Sequence, residues 1–168
     1  LIELQGFSSL DGMQLIQGEV WSEVVALMPG MPERFTPLFS GLTHDSYIDL
    51  LRRTIIADAE PEEVILLDLE PERQKTVPDF RATARLLGVR AVCVSDLRRD
   101  GRRLFAPAPG GRTAPVRRIL HRVVFDELER KRVPMCFDYR DDLDVVWVSH
   151  PNWYWVWSKY TLPFIQHP

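Results

Sequence analysis

An acid and an amide lie two residues apart near the start of the chain, in a short apolar stretch that precedes a Gly-Phe-Ser-Ser turn. Glu3 and Gln5 alternate with Ile2 and Leu4, and alternation along a strand puts both polar side chains on the same side. Carboxylate and amide oxygens suit a hard cation such as Mg²⁺. We therefore predict that Glu3 and Gln5 are metal ligands. On spacing alone, an edge-strand acid followed by a helix cap is the competing interpretation.

The turn after this strand carries groups that bind anions. Gly6, Ser8 and Ser9 supply backbone N–H groups and hydroxyls directly before a predicted helix, and the N-terminus of a helix favours negative charge. Ser8 and Ser9 are therefore candidate substrate-binding residues.

Polar side chains also follow two later strands that we predict. Residues 70–75, with Glu72 and Gln74, follow the first strand, and His121 and Arg122 end the second. Ligands of parallel α/β sheets bind beyond the carboxyl ends of the strands. There an arginine would bind a carboxylate through two hydrogen bonds, and Gln or Ser would bind an amide or amino group. The alternatives are a solvated loop and an ion-paired surface arginine.

The central segments must position these groups. Residues 64–69 are apolar without alternation, which is typical of a strand buried on both faces. A helix over 78–87 and a strand over 89–95 complete a βαβ unit with a right-handed crossover. Residues 103–106 and 113–116 flank Pro-Gly-Gly and predict a β-hairpin. The predicted fold is an α/β, three-layer Rossmann-like domain with a mainly parallel sheet and a β-hairpin excursion.

The outer segments read as two helices near the start and three elements near the end. Apolar residues at helical spacing predict a helix that begins near Leu10, and Thr43 is predicted to cap a second helix. We predict a strand over 118–123, a helix over 125–132 and a final strand over 145–148. The first helix is expected to bury one stripe, made of Leu10, Met13, Ile16, Val20, Trp21, Val24, Leu27 and Met28.

Composition narrows the function classes. The 168 residues are 45% hydrophobic and 27% charged, as in a soluble single domain. The net charge of −3 argues against a nucleic-acid partner, although arginines crowd residues 98–122, where we expect a solvated hairpin. No apolar run approaches the roughly 20 residues of a membrane helix, so no membrane partner is expected. Two cysteines without a disulfide framework lead us to expect a cytoplasmic location.

Nucleotide-binding motifs are not apparent in the sequence. It has neither a GxxxxGK[ST] loop nor a GxGxxG turn, so we expect any nucleotide to be held elsewhere in a larger protein. The aromatic residues between Trp147 and Tyr160 could form a ligand platform or a partner surface, and core or interdomain packing is the alternative.

Three short motifs follow one another in a fixed order. They are Ile-Glu-Leu-Gln at 2–5 with its Ser-containing turn, Glu-Arg-Gln at 72–74 after an apolar strand, and Arg-Arg-Leu-Phe at 102–105 at the start of the hairpin. Over roughly residues 1–126 this order resembles the substrate-binding (pre-ATP-grasp) domain of circularly permuted ATP-grasp ligases, specifically the eukaryotic-type glutathione synthetases. Those enzymes carry an IExN strand, an E-R-N loop and an RRLF hairpin start at the corresponding places.

The resemblance implies roles for individual residues. Glu3 and Gln5 would help to bind Mg²⁺ with ATP in the full-length protein, and Ser8, Glu72, Gln74 and Arg122 would face a small acidic or peptide-like substrate. Gln stands at positions 5 and 74 where the family has Asn, and His-Arg-Val-Val-Phe at 121–125 stands where it has F-R-D-G-Y. We therefore expect a different acid in the pocket.

These observations predict the substrate-binding domain of an ATP-dependent carboxylate–amine ligase. We expect a single domain within a larger protein, inactive and without cofactors when isolated. Residues 1–30 would border the remaining ATP-grasp domain, and residues 145–168 would form a Trp-rich interdomain tail. The alternative is a non-catalytic α/β interaction domain that uses the Trp147–Trp157 surface.

Overall fold

The computed structural model describes residues 9–31, 36–153 and 162–165. Four strands form a parallel sheet in the order β2-β1-β6-β7: β1 (Val64–Asp68), β2 (Arg90–Cys93), β6 (Arg118–His121) and β7 (Val146–Trp147). Three strands form a second, antiparallel sheet: β3 (Arg98–Asp100), β4 (Arg103–Ala108) and β5 (Arg112–Val116). The helices are α1 (Asp11–Ala26), α2 (His44–Leu51), α3 (Val77–Leu87), α4 (Phe125–Lys131) and α5 (Leu162–Ile165). None of these helices is long and apolar enough to cross a membrane.

Strand β1 is an inner strand of the parallel sheet. Every one of its residues is buried, as expected for a strand that is covered on both faces. It pairs with β2 on one side and with β6 on the other. Helix α3 connects β1 to β2, and the antiparallel sheet leads on to β6. The predicted fold class is confirmed: a mixed α/β domain with a parallel sheet flanked by helices and an antiparallel hairpin sheet.

The two faces of the parallel sheet bury separate cores because side chains alternate along each strand. On one face, Leu66 and Leu120 pack with Leu51 and Ile55 and with Phe80 of α3. On the other face, a second core brings the parallel and antiparallel sheets together. That core contains Ile65, Leu67, Ile119, Leu104, Val116 and Phe137.

The ends of α2 and α3 follow the predicted signals. The Thr43 hydroxyl accepts a hydrogen bond from the backbone N–H of Ser46, and the Ser46 side chain accepts one from the backbone N–H of Thr43. Helix α3 has Pro78 in its first turn and ends at Gly88, whose φ of 74° lies in the left-handed region that glycine adopts without strain. The predictions of both helices are confirmed.

Helix α1 forms as predicted but buries a different face. The inner face contains Gly12, Leu15 and Gly18, whereas Trp21 is 61% and Leu27 is 85% exposed. The predicted apolar stripe is therefore wrong. The glycines explain the difference, because a Cβ on Gly12 would lie only 2.5 Å from the backbone nitrogen of Thr83 in α3. Close backbone approach decides the packing of α1.

Several predicted boundaries also shift. The strand predicted over 89–95 ends at Cys93, and the strand predicted over 118–123 ends at His121. The predicted hairpin is joined by a third antiparallel strand, β3. The arginines of the hairpin are not simply solvated. Arg99 binds the carboxylate of Asp141, and Arg102 binds the carboxylates of Asp142 and Asp144. These ion pairs attach the acidic loop around residues 138–144 to the hairpin.

Candidate functional site

The carboxyl ends of β1 and β6 form the point at which the strand order reverses. From β1 the chain moves outward to β2 and then returns to place β6 on the opposite side of β1. Ligands of open α/β sheets bind in the crevice at such a point. Here β1 ends at Asp68, and β6 ends at His121 with Arg122 directly after it.

Asp68 is a buried acid at the end of an otherwise apolar strand. It is 5% exposed, and its Oδ1 accepts a hydrogen bond from the backbone N–H of Leu69 at 2.7 Å. Burial raises the pKa of Asp68 to about 6, against the opposing effects of the Leu69 N–H and of the charges of Arg122 and Lys131. A carboxyl with this pKa exchanges protons near neutral pH, a property typical of functional sites.

Arg122 is buried beside this acid but pairs with another. Its side chain is 5% exposed, and its Nη1 donates to Asp79 Oδ2 at 3.1 Å. The guanidinium carbon lies 5.3 Å from the centroid of the Phe80 ring. The buried Nε of Arg122 has no hydrogen-bond partner. Arg122 thus lies on the sheet face that carries α3, held by one carboxylate and one aromatic ring.

Asp79 connects Arg122 to the start of α1. Its Oδ1 accepts hydrogen bonds from the backbone N–H groups of Gly12 at 3.1 Å and of Met13 at 3.0 Å, while Oδ2 accepts from Arg122. The N-terminus of α1, where we expected an anion, therefore holds a carboxylate of the protein itself. Asp79 fixes the position of α1 relative to β6.

Gln74 lies at the same edge of the sheet. Its Nε2 donates to the backbone oxygen of Leu69 at 2.7 Å and to the Glu127 carboxylate at 3.2 Å. Glu127 also binds Lys131 at 2.9 Å, and these hydrogen bonds from Lys131 and Gln74 lower its pKa. The negative charge of Glu127 raises the pKa of Asp68, and the positive charge of Lys131 lowers it. Gln74 is thus connected to the residue after Asp68 and to Glu127, whereas the charge of Arg122 acts on Asp68 itself.

Glu72 points elsewhere. Its carboxylate binds Arg81 at 2.9 Å, and both side chains are largely exposed. Glu72 also lines a cavity of about 400 Å³ at the ends of β1 and β2, together with Glu70, Cys93 and Asp96. Among the described residues, Glu72, Gln74 and Arg122 therefore each have a different partner.

His121 occupies the opposite face of the sheet. It is 1% exposed, and its Nε2 lies 2.9 Å from the Tyr139 hydroxyl. Its Nδ1 is buried without a partner, and the rings of Phe125 and Trp147 pack around it. Burial lowers the pKa of His121 to about 3, so the imidazole is neutral. Burial, and secondarily the charge of Asp68, raises the pKa of Tyr139.

The remaining predicted residues can be placed only in part. Ser9 is half-buried just before α1, whereas Glu3, Gln5 and Ser8 lie outside the described residues. Within the described ranges, no group of three or more His, Cys, Asp or Glu side chains could hold a metal ion.

Three residues of this region were missed by sequence reasoning. Asp68 had a readable signal, since it is the one charged residue at the end of Val-Ile-Leu-Leu-Asp. Asp79 had a weaker signal, an acid in the first turn of a helix, where acids are common. Tyr139 lies in an irregular loop, and nothing in the sequence connects it to His121.

Comparisons with protein-family models, with curated proteins and with solved structures find no match to this chain. Function must therefore be argued from the site itself.

Proposed function

We propose that this α/β unit is the substrate-binding domain of an ATP-dependent carboxylate–amine ligase and that its ligand binds at the carboxyl edge between β1 and β6. The observation that carries the proposal is the buried carboxyl of Asp68, whose pKa is raised to about 6 at the strand-order reversal. The ordered motifs at 2–5, 72–74 and 102–105 supply the reaction class by resemblance.

The groups around Asp68 suit the two partners of such a reaction. An amine that attacks an activated acid must lose a proton, and a carboxyl with a pKa near neutrality is suited to accept it. The Lys131 ammonium, 36% exposed, binds Glu70 and Glu127 and has a third N–H to offer to the acid, whereas Gln74 orients Glu127. Arg122 acts as a positioning residue, because its charge acts on Asp68 and its Nη1 is held by Asp79.

Glu3 and Gln5 are the residues proposed to help bind Mg²⁺ with ATP, and both lie outside the described residues. ATP would supply the phosphoryl group that activates the acid. The role of the described residues is to bind and orient the acid and the amine and to hold a proton at Asp68. The isolated unit is accordingly proposed to be inactive without the remaining ATP-grasp domain.

The proposal is tested by ADP release from the full-length protein with ATP, Mg²⁺ and a panel of amino acids and dipeptides as acids and amines. ADP release is expected only when an acid and an amine are both present. Asp68→Asn should lower kcat/KM for the amine by about a hundredfold and remove the rise in rate near pH 6, with KM for ATP unchanged. The control, Asp142→Asn, alters an exposed carboxylate that binds Arg102. The proposal would be contradicted if ADP were released without acid and amine, or if Asp68→Asn and Asp142→Asn released ADP at the same rate.

The alternative, an interaction domain that uses the Trp147–Trp157 surface, has less support from the described residues. Trp147 is half-buried and packs against Phe137 and Tyr139. Trp153 is 56% exposed, and the residues from 154 to 157 lie outside the described part of the chain. Trp147 therefore contributes mainly to the core.

A further inference from the structure

Tyr139 and His121 form a polar pair that has no part in proton transfer at Asp68. The Tyr139 hydroxyl lies 2.9 Å from His121 Nε2 and has no other hydrogen-bond partner among the described residues. The His121 ring is 1% exposed and meets the rings of Tyr139 and Trp147 edge-on. Either Nε2 or the hydroxyl can be the donor of this hydrogen bond, and the choice decides where the hydroxyl proton of Tyr139 points.

The burial of the imidazole favours one of these two arrangements. A neutral imidazole carries a proton on only one ring nitrogen, and burial keeps His121 neutral. Its Nδ1 is buried without a partner in the described part of the chain. A proton on Nδ1 would leave a buried N–H without an acceptor, and such groups are rarer in proteins than unused acceptors. The smaller penalty therefore arises when the proton lies on Nε2 and Nε2–H donates to the Tyr139 oxygen.

In this arrangement the hydroxyl proton of Tyr139 is available to another acceptor. His121 is the last residue of β6 and pairs with Leu67, the residue before Asp68. The half-buried Tyr139 therefore places its hydroxyl at the carboxyl edge where β1 and β6 end. Burial, and secondarily the charge of Asp68, raises the pKa of Tyr139, so the phenol keeps its proton. Asp68 itself is not the acceptor, because within the described ranges its carboxyl is bonded only to the Leu69 N–H.

We propose that the Tyr139 hydroxyl donates a hydrogen bond to the carboxylate of the acid substrate, and that His121 is the positioning residue that holds this hydroxyl in the donating orientation. A carboxylate only accepts hydrogen bonds, so it suits a hydroxyl whose proton is unpaired. The inference rests on the proposed function and divides the edge between the two substrates. Asp68 receives the proton of the amine, whereas Tyr139 and the third N–H of Lys131 orient the acid.

The orientation of the pair is tested by ¹⁵N NMR of the histidine rings at neutral pH. His121 should show a protonated Nε2 and an unprotonated Nδ1. Tyr139→Phe removes the acceptor oxygen and should shift the proton resonance of Nε2–H. A proton on Nδ1 would overturn the proposal, because Tyr139 would then donate to the ring instead of to a ligand.

Binding of the acid is tested by NMR titration of the chain with acetate and with succinate. At least one of these probes should bind, and Tyr139→Phe should raise its Kd about tenfold or more, as expected for a lost hydrogen bond to a charged group. Tyr47→Phe is the matched control, because the Tyr47 hydroxyl donates to the Asp11 backbone oxygen at 3.1 Å. This control should leave the Kd unchanged.

Two variants of His121 test its positioning role. His121→Gln keeps a neutral N–H donor and should keep the Kd of the probe within about threefold of wild type, whereas His121→Leu has no donor and should raise it about tenfold. The proposal would be overturned if neither probe bound, if Tyr139→Phe left the Kd unchanged, or if the two His121 variants bound equally.

The full-length protein separates this inference from the proposed function. With ATP, Mg²⁺, acid and amine, Tyr139→Phe should raise KM for the acid about tenfold or more and leave KM for ATP unchanged. ADP release that requires both acid and amine, with KM for the acid unchanged in Tyr139→Phe, would overturn the inference and leave the proposed function standing.

Discussion

The ion pair between Arg122 and Asp79 offers the sharpest test of how this region is built. Both side chains are almost fully buried, at 5% and 1% exposure, and they are joined at 3.1 Å. Asp79→Ala removes the partner of the arginine and both Oδ1 hydrogen bonds to the start of α1. We expect this substitution to be among the most destabilising in the chain.

The loss of stability expected for Asp79→Ala has two parts. Breaking a buried ion pair by removing one partner costs about 3–5 kcal/mol, because the remaining charge stays buried. Loss of the hydrogen bonds to Gly12 and Met13 adds about 1 kcal/mol, the usual value of a helix cap. Asp79→Asn keeps an oxygen for those N–H groups and should therefore lose about 1 kcal/mol less than Asp79→Ala.

Urea unfolding at pH 7 measures both variants, with Asp142→Asn at an exposed ion pair as the control that should leave the midpoint unchanged. The double variant Asp79→Leu with Arg122→Met replaces the pair by apolar groups. It should lose less stability than the two single changes added together. A loss below about 1 kcal/mol for Asp79→Ala, or strict additivity in the double variant, would refute the reasoning.

Three further predictions concern titration and packing. The pKa of Asp68 is about 6 in the folded protein and about 3.9 in the unfolded chain. Asp68 therefore stabilises the folded protein fully below about pH 3.9, and this stabilisation is lost as the pH rises through about 6. The stability of Asp68→Asn relative to wild type should thus increase by about 1.4 kcal/mol from pH 5 to pH 7.5 in urea unfolding, and a constant difference would contradict this. His121, with its pKa lowered to about 3, should show a neutral imidazole by ¹⁵N NMR at pH 5; an imidazolium there would contradict the burial argument. Gly12→Ala should cost about 1–3 kcal/mol despite its better helix propensity, because its Cβ would lie 2.5 Å from the Thr83 nitrogen; a stabilised variant would show that α1 packs differently.

The sequence was informative where a single physical signal decides the structure. The apolar run at the start of β1, residues 64–67, predicted a buried parallel strand, and the Thr43 cap and Gly88 predicted helix ends that the structure confirms. Each of these signals is local, so no knowledge of the rest of the chain was needed.

The face of α1 could not be predicted in this way. Hydrophobicity favoured Ile16, Val20 and Val24 as the buried side, whereas close packing on α3 requires a face with glycine. Which of these two effects prevails depends on the partner surface, which a pattern within one helix does not contain.

The candidate site shows the same limit. Gln74 and Arg122 were predicted to lie at the carboxyl edge; in the structure Gln74 contacts Leu69 and Glu127, and the charge of Arg122 acts on Asp68. The ion pair with Asp79 and the contact between His121 and Tyr139 join segments that are far apart in the chain. Only the folded structure shows that Arg122 already has a carboxylate partner.

The central claim is that a ligand binds at the carboxyl edge around Asp68, and NMR on the 19.5 kDa chain tests it most directly. The ¹H–¹⁵N spectrum is recorded during titration with L-glutamate and with glycylglycine, on wild type and on Asp68→Asn. The account predicts saturable shifts at the amides of Leu69, Glu70 and Arg122 with at least one of these probes, and their loss in Asp68→Asn. The absence of shifts with both probes, or equal shifts in the variant, would contradict it.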